Sequence, residues 1–171
     1  HDHRAWWSAY LGGGVWEAHV LGPWDLPHKA WDMVWTELGG TRAFMESIPF
    51  AEMEPHNELV KAGVAFCLAK PGTVYALYLP SGGEVQIALP EKGTFGYTWW
   101  NPANGKDGWF VRKGQVRGGI TRFTAPDEGD WALRIQIVYT HGSTQLIENR
   151  EVTENRSGVS RTVVNLKPTS D

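Results

Sequence analysis

Beyond residue 59 the chain alternates apolar and polar residues, which is the period-two pattern of β-strands. The clearest run is 131–139, where every odd-numbered residue is apolar or aromatic and can share one face. Nine extended residues span about 30 Å, which is long enough to cross a small domain. The run 84–89 alternates in the same way and puts Val85, Ile87 and Leu89 on the face predicted to be buried.

Short clusters of turn-forming residues separate these runs, at Lys70–Gly72, Ser81–Gly83 and Glu91–Gly93. The strand at 73–79 is apolar on both faces, so we expect it to lie centrally in a sheet. The sequence thus predicts eight or nine antiparallel strands, the last two of which form a hairpin. They are 64–69, 73–79, 84–89, 95–99, 109–112, 118–124, 131–139, 144–152 and 160–166.

The first 58 residues follow a helical pattern instead. Arg4–Leu11 places its aromatic residues three and four positions apart, as a short amphipathic helix does. A second helix contains Trp31, Val34, Trp35 and Leu38, and the pattern predicts that Gly39–Gly40 ends it. Thr41 is then the predicted N-cap of a third short helix, which contains Phe44, Met45 and Ile48 and stops at Pro49.

The change of period places a predicted boundary near residue 58. The fold class is mainly β, with a helical segment at 1–58 followed by an antiparallel β-sandwich at 59–171. The helical segment is too small to close a core of its own. Two interpretations follow: the helices pack onto the sandwich, or they belong to a larger domain that precedes this sequence.

Composition excludes several classes of function. The net charge of -3 gives no reason to expect a nucleic-acid partner or an anionic membrane surface. Ten tryptophans in 171 residues fit a β-rich fold and also fit proteins that stack on sugars. Cys67 is the sole cysteine, so an intramolecular disulfide is excluded, and we expect a buried small hydrophobe. Because the chain begins at His1 rather than methionine, we expect part of a longer or processed product.

Three motifs in order resemble a known family. Val74–Pro80 reads Val-Tyr-Ala-Leu-Tyr-Leu-Pro, Trp99–Gly105 reads Trp-Trp-Asn-Pro-Ala-Asn-Gly, and Pro126–Leu133 contains Asp-Trp-Ala-Leu. They are similar to the C-terminal part of bacterial glycoside hydrolases of the apiosidase-like type. Gly12–His19 and Leu38–Phe50 resemble the last strand and helix of the barrel in that family. The resemblance covers residues 4–139.

The resemblance implies a (β/α)₈ barrel followed by an accessory β-sandwich, which is labelled a collagen-binding domain in the family. Residues 1–58 would be a remnant of the barrel end, and the parent enzyme would be secreted or periplasmic. The family's two catalytic carboxylates lie on earlier barrel strands that this sequence does not contain. A glycosidase needs two carboxyl groups held roughly 5 to 9 Å apart. We therefore predict no catalytic residue in this chain, which on its own should be inactive.

Several residues are candidates for a site. Trp16, Glu17 and His19 would lie at the rim of the barrel, where catalysis occurs in that fold. The alternative for Glu17 is an ordinary loop carboxylate. Trp100 and Trp109 are candidates for sugar stacking, and core packing is the alternative for each. Trp99 shares a face with Phe95 and Tyr97, so we expect it to be buried.

Clusters of acidic residues and of histidines are candidates for metal binding. Asp130 is predicted to fix a turn by accepting backbone N–H bonds. With Asp127 and Glu128 it could alternatively hold calcium, which needs six to eight oxygens. His1–His3 is interpreted as a flexible terminus, and no His/Cys set has zinc spacing. We therefore expect no metal site and no cofactor.

The leading hypothesis is a C-terminal fragment of a glycoside hydrolase, whose sheet domain is structural or accessory. Its expected partners are the missing barrel and a polysaccharide ligand. The alternative is a free-standing module that binds a polysaccharide or an extracellular matrix protein. A third hypothesis is an assembly domain, in which exposed aromatic residues of the helical segment form a homo-oligomer interface.

Overall fold

The computed structural model describes residues 3–15, 28–103 and 112–139, without the side chains of 28–31 and 33. All of them belong to one compact unit that ends at Tyr139. The helices are α1, Arg4–Leu11, and α2, His28–Glu46, and short 3₁₀ turns follow at Phe50–Glu52 and Asn57–Leu59. The strands are β1, Glu54–Pro55; β2, Val60–Ala62; β3, Phe66–Lys70; β4, Val74–Leu79; β5, Glu84–Trp100; β6, Lys113–Thr124; and β7, Trp131–Val138.

The described strands form one antiparallel sheet, in which β1-β3-β4-β7-β5-β2 is the order of neighbours. Strand β6 is not part of this order, but it also pairs with β5. The prediction of a mainly antiparallel β fold is confirmed, and β4 is central and buried on both faces, as expected from its composition. The expected division into two separate sheets is not seen among the described strands, because all of them are hydrogen-bonded into one. The predicted strand at 109–112, apart from Arg112, and the hairpin at 144–166 lie outside the described residues.

Strand β5 differs most from the prediction. Glu91–Gly93 was predicted to be a turn between two strands, but β5 runs through it without reversing. The pairing with β6 is interrupted only between Leu89 and Thr94. Pro90 lacks an N–H, and Gly93 has a positive φ of 137°, so the ladder breaks locally. Because β6 continues across the break, the result is an irregularity in one long strand.

Alternate residues of the sheet enclose an inner apolar cluster. Val85, Ile87 and Leu89 lie in it, which confirms the face predicted from their alternation. Phe95 and Trp99 also lie in it, and the ring centroids of Trp99 and Trp131 are 6.3 Å apart in an edge-to-face arrangement. Cys67 is fully buried in the same cluster, and burial raises the pKa of its thiol to about 12. This cysteine is therefore an inert part of the core.

The opposite face of the sheet packs against the two helices. Trp7 of α1 is fully buried and stacks on Tyr78 of β4, with ring centroids 5.7 Å apart and planes 19° apart. The same Trp7 meets the ring of Phe44 from α2 edge-on at 5.2 Å. The first interpretation above, packing of the helices onto the sheet, is therefore observed.

Helix α2 passes through the predicted stop at Gly39–Gly40 and continues to Glu46. Thr41 is not an N-cap, because its hydroxyl donates to the backbone oxygen of Glu37 one turn earlier, at 3.1 Å. A glycine inside a helix costs about 1 kcal/mol relative to alanine. Burial of Phe44 and Ile48 against the sheet offsets that loss. No helix among the described residues combines the length and the apolar character that crossing a membrane requires.

Candidate functional site

Four of the five sequence-predicted site residues cannot be placed. Trp16, Glu17, His19 and Trp109 lie outside the described residues, so they stay predictions. The fifth, Trp100, has an exposed fraction of 0%. Its ring lies on the helix-covered face of the sheet and meets Phe44 edge-on at a centroid distance of 5.8 Å. A side chain without exposed surface offers no face to a sugar, so the core-packing alternative holds for Trp100.

The turn before β7 is fixed by a different carboxylate from the one predicted. Asp127 Oδ1 accepts hydrogen bonds from the backbone N–H of Gly129 and from the indole Nε1 of Trp131, both at 2.8 Å. Both bonds lower the pKa of Asp127 from its ordinary value, and the bond from Trp131 has the larger effect. The sequence prediction for Asp130 is wrong in its role, because Asp130 points into the protein instead.

Asp130 is the centre of a buried polar network that joins three parts of the fold. Its Oδ2 accepts a hydrogen bond from the hydroxyl of Tyr78 at 2.8 Å and lies 2.9 Å from Nε2 of His3. An ionised carboxylate only accepts hydrogen bonds, so Nε2 of His3 donates. On its other side, Nδ1 of His3 lies 3.7 Å from a carboxylate oxygen of Glu37. The network therefore joins the residue before α1, the middle of α2 and strand β4 to the turn before β7.

Two opposing effects act on the pKa of Asp130. Burial, the larger single effect, raises it, but hydrogen bonds from His3 and Tyr78 and the charge of His3 together outweigh burial. The pKa of Asp130 is therefore lower than its ordinary value, and the carboxyl is ionised at neutral pH. The interpretation of His3 as part of a flexible terminus is wrong, because its side chain is held by Asp130. No local pattern in the sequence signals a contact between residues 127 positions apart.

The described residues hold no group of three or more histidine, cysteine and acidic side chains that could bind a metal ion. Asp127 and Asp130 are engaged in different directions, Asp127 by the turn and Asp130 by the buried network. The calcium alternative therefore finds no support in the arrangement of these two carboxylates.

A groove of about 540 Å³ lies on the same face of the sheet as the helices, beside the part they cover. Its floor is Gly96 in the middle of β5, which lies opposite Gln115 of β6 and Gln136 of β7. Directly opposed residues of antiparallel strands share a face, so the two amides flank a position without a side chain. Such a volume is within the usual range of ligand sites, about 300–1,000 Å³.

The next row of the groove carries positive charge. Thr98 of β5 lies opposite Lys113 of β6 on one side and Arg134 of β7 on the other. Nη1 of Arg134 donates to the backbone oxygen of Ser47 at 3.2 Å, which ties the guanidinium to the segment after α2. Partial burial lowers the pKa of Arg134 from its ordinary value. An arginine has so high an ordinary pKa that it stays charged at neutral pH.

On the far side of Gly96, Thr94 lies opposite Arg117 of β6 and Val138 of β7. Val138 still lines the groove, whereas Thr94 and Arg117 continue the same face of the sheet past its lining. The nine positions of these three rows thus contain three cations, two amides and two hydroxyls, and none of the nine is acidic. Such a surface can bind an anionic, hydroxyl-rich molecule. It cannot supply the pair of carboxyl groups that glycoside hydrolysis requires. The sequence analysis did not identify the groove, because three separate strands form it and their register is not visible in any one of them.

Comparison with known proteins gives a likeness of fold. No profile of a known protein family matches the chain, and no curated protein sequence does. A solved structure described as a glycoside hydrolase matches with a TM-score of 0.52 and 16% identity, over 71% of this chain and 30% of that chain. A glycoside hydrolase family 5 protein from Bacteroides vulgatus ATCC 8482 matches with a TM-score of 0.49 and 18% identity, over 61% of this chain and 24% of that chain.

The structural neighbours are thus glycoside hydrolases, and the chain spans less than a third of their length. At 16% identity the first match shows that the fold is shared, and nothing about activity. The class that the fold defines is therefore a mainly β domain, and its fold is shared with a part of a glycoside hydrolase chain.

Proposed function

We propose that this chain is an accessory domain of a glycoside hydrolase and does not cleave glycans on its own. The observation that carries the proposal is the likeness of its fold to a minor part of a glycoside hydrolase chain. A segment that fills 30% of such a chain leaves room for a separate catalytic domain. The parent enzyme would supply both catalytic carboxylates.

Within this class we propose the bacterial, apiosidase-like type. The support is the order of the motifs at Val74–Pro80, Trp99–Gly105 and Pro126–Leu133. In this proposal α1 and α2 are the last helices of the barrel, and their docking on the sheet attaches the barrel to the accessory domain. The stacking of Trp7 on Tyr78 and the bond between His3 and Asp130 would make that attachment rigid. The label of collagen binding has no comparable support among the described contacts.

A free-standing binding module remains the second candidate, and one observation favours it. The groove over Gly96 is open, and none of the described residues that line it is acidic, so it suits a bound ligand without a catalytic partner. Both candidates use the sheet in the same way, and they differ in whether a barrel accompanies it.

The genomic sequence upstream of the codon for His1 tests the proposal. We expect the reading frame to continue upstream through an alternation of strands and helices, with an acidic residue at the ends of two strands. An in-frame stop codon directly before His1 would contradict the accessory-domain proposal and favour the free-standing module.

A further inference from the structure

We propose that the groove over Gly96 binds an acidic oligosaccharide, one whose sugar units carry carboxylates at regular intervals. The occupant is inferred from the charge, spacing and hydrogen-bonding groups of the groove. That the anion is a sugar rests on the proposed function, whereas its negative charge follows from the groove itself.

The arrangement of the cations favours an extended anion over a single small ion. Lys113 and Arg134 flank β5 on either side, so their backbones are two strand spacings apart, roughly 10 Å. Lys113 and Arg117 are four residues apart along β6, which is roughly 13 Å in a strand. A lone phosphate or sulfate ion cannot contact all three, whereas a chain with repeated charges can.

The groups between the cations suit a sugar better than a nucleic acid. Gln115 and Gln136 each offer an amide donor and an amide acceptor, and Thr94 and Thr98 each offer a hydroxyl. These groups match the hydroxyls of a sugar ring. Single-stranded nucleic acids are usually bound by aromatic side chains on which the bases stack. Among the described residues, Tyr97 is the aromatic residue in the lining of the groove, and its ring packs edge-on against Phe123 of the inner cluster at a centroid distance of 5.2 Å.

The missing side chain at Gly96 gives the ligand its space. A Cβ at this position would have Val138 Cγ2 as its nearest neighbour, at the ordinary contact distance of 3.5 Å, and the backbone φ is not in the left-handed region. The backbone at this position can therefore accept a Cβ without strain. Gly96→Val fills the floor of the groove and changes no charge, which makes it a steric test of binding.

The test is a titration of the chain with polygalacturonate, in which binding is measured by calorimetry or by affinity electrophoresis. We expect binding to polygalacturonate and none to its fully methyl-esterified form, which has the same backbone without charge. Gly96→Val should weaken binding by about tenfold or more, because it occupies the space of the ligand. The double variant Lys113→Gln/Arg117→Gln should weaken it about fivefold, as for two exposed ion pairs.

Arg122→Gln is the matched control, since Arg122 lies on the same strand but pairs with Glu84 outside the groove, at 3.2 Å. It should bind as the unmodified chain does, and thermal melting should show that every variant is folded. The inference is overturned by no binding to polygalacturonate, by equal binding of the esterified form, or by unchanged affinity of folded Gly96→Val. Preference for dextran sulfate or for a single-stranded oligonucleotide would also overturn it. If such an outcome accompanies an upstream barrel sequence, the groove proposal falls and the accessory-domain proposal stands.

Discussion

Replacement of Trp100 by alanine is expected to lower the free energy of unfolding by about 3–5 kcal/mol, the usual loss for a fully buried tryptophan. Trp100 is buried where the sheet meets α2, with Phe44 against its ring. Its loss leaves a cavity at the contact between helix and sheet, which the rigid strands on either side cannot fill. Chemical denaturation followed by circular dichroism gives the value.

Trp35→Ala is the matched control for this experiment. Trp35 lies on α2 with 62% of its surface exposed, so its removal should change stability by no more than about 0.5 kcal/mol. A loss for Trp100→Ala no larger than that of the control would contradict the packing of the helices on the sheet. A glycan-binding defect in a fully stable Trp100→Ala would instead support the sugar-stacking role that burial argues against.

Replacement of Asp130 by alanine is expected to destabilise the fold by about 3 kcal/mol, because it leaves buried partners without their acceptor. Tyr78 and His3 both donate to the same oxygen, so one substitution removes two bonds. Glu128→Ala, two residues away and exposed, should have an effect within about 0.5 kcal/mol. A double-mutant cycle with His3→Gln should show coupling between His3 and Asp130.

The contribution of Asp130 to the free energy of unfolding should also depend on pH, and it should decrease in acid. Its pKa in the folded state is lowered, so its contribution is fully present above the unfolded-state value of about 3.9 and disappears as the pH falls through the folded-state value. The difference in stability between the unmodified chain and Asp130→Ala should therefore shrink as the pH falls through the folded-state pKa of Asp130. A difference that grew as the pH fell below about 4 would show that the carboxyl is not stabilised as an anion.

Local periodicity was sufficient to predict most of the elements. Helix α1 and the buried face of 84–89 agree with the structure, because each depends on neighbours within one or two turns or pleats. The errors at Gly39–Gly40 and Glu91–Gly93 have one physical cause. Glycines that favour a break were outweighed by distant contacts, namely the sheet beneath α2 and the continuous partner strand β6 beside β5.

The sites were much less predictable than the elements. The network around Asp130 joins His3, Glu37 and Tyr78, which the sequence places far apart and which no motif connects. The groove needs the register of β5, β6 and β7 together, and a shift by one residue would turn its cations to the other face. The alternation of apolar and polar residues along a strand predicts which face is buried. It does not predict which residues of three neighbouring strands lie side by side.

These observations divide one face of the sheet between two roles. The part around Trp100 and Tyr78 is covered by helices and carries the buried network, so it is structural. The part around Gly96 is open and positively charged, so it is available for a ligand. The accessory-domain proposal uses both parts: one for attachment to a larger protein and one for contact with a glycan.

The most direct test of the proposal is an assay of reducing sugar released from neutral and acidic polysaccharides by the purified chain. The account predicts no release above that of a heat-denatured sample, because none of the described residues that line the open groove is acidic. Sustained release by the chain, lost on denaturation, would contradict the assignment of this domain as an accessory one.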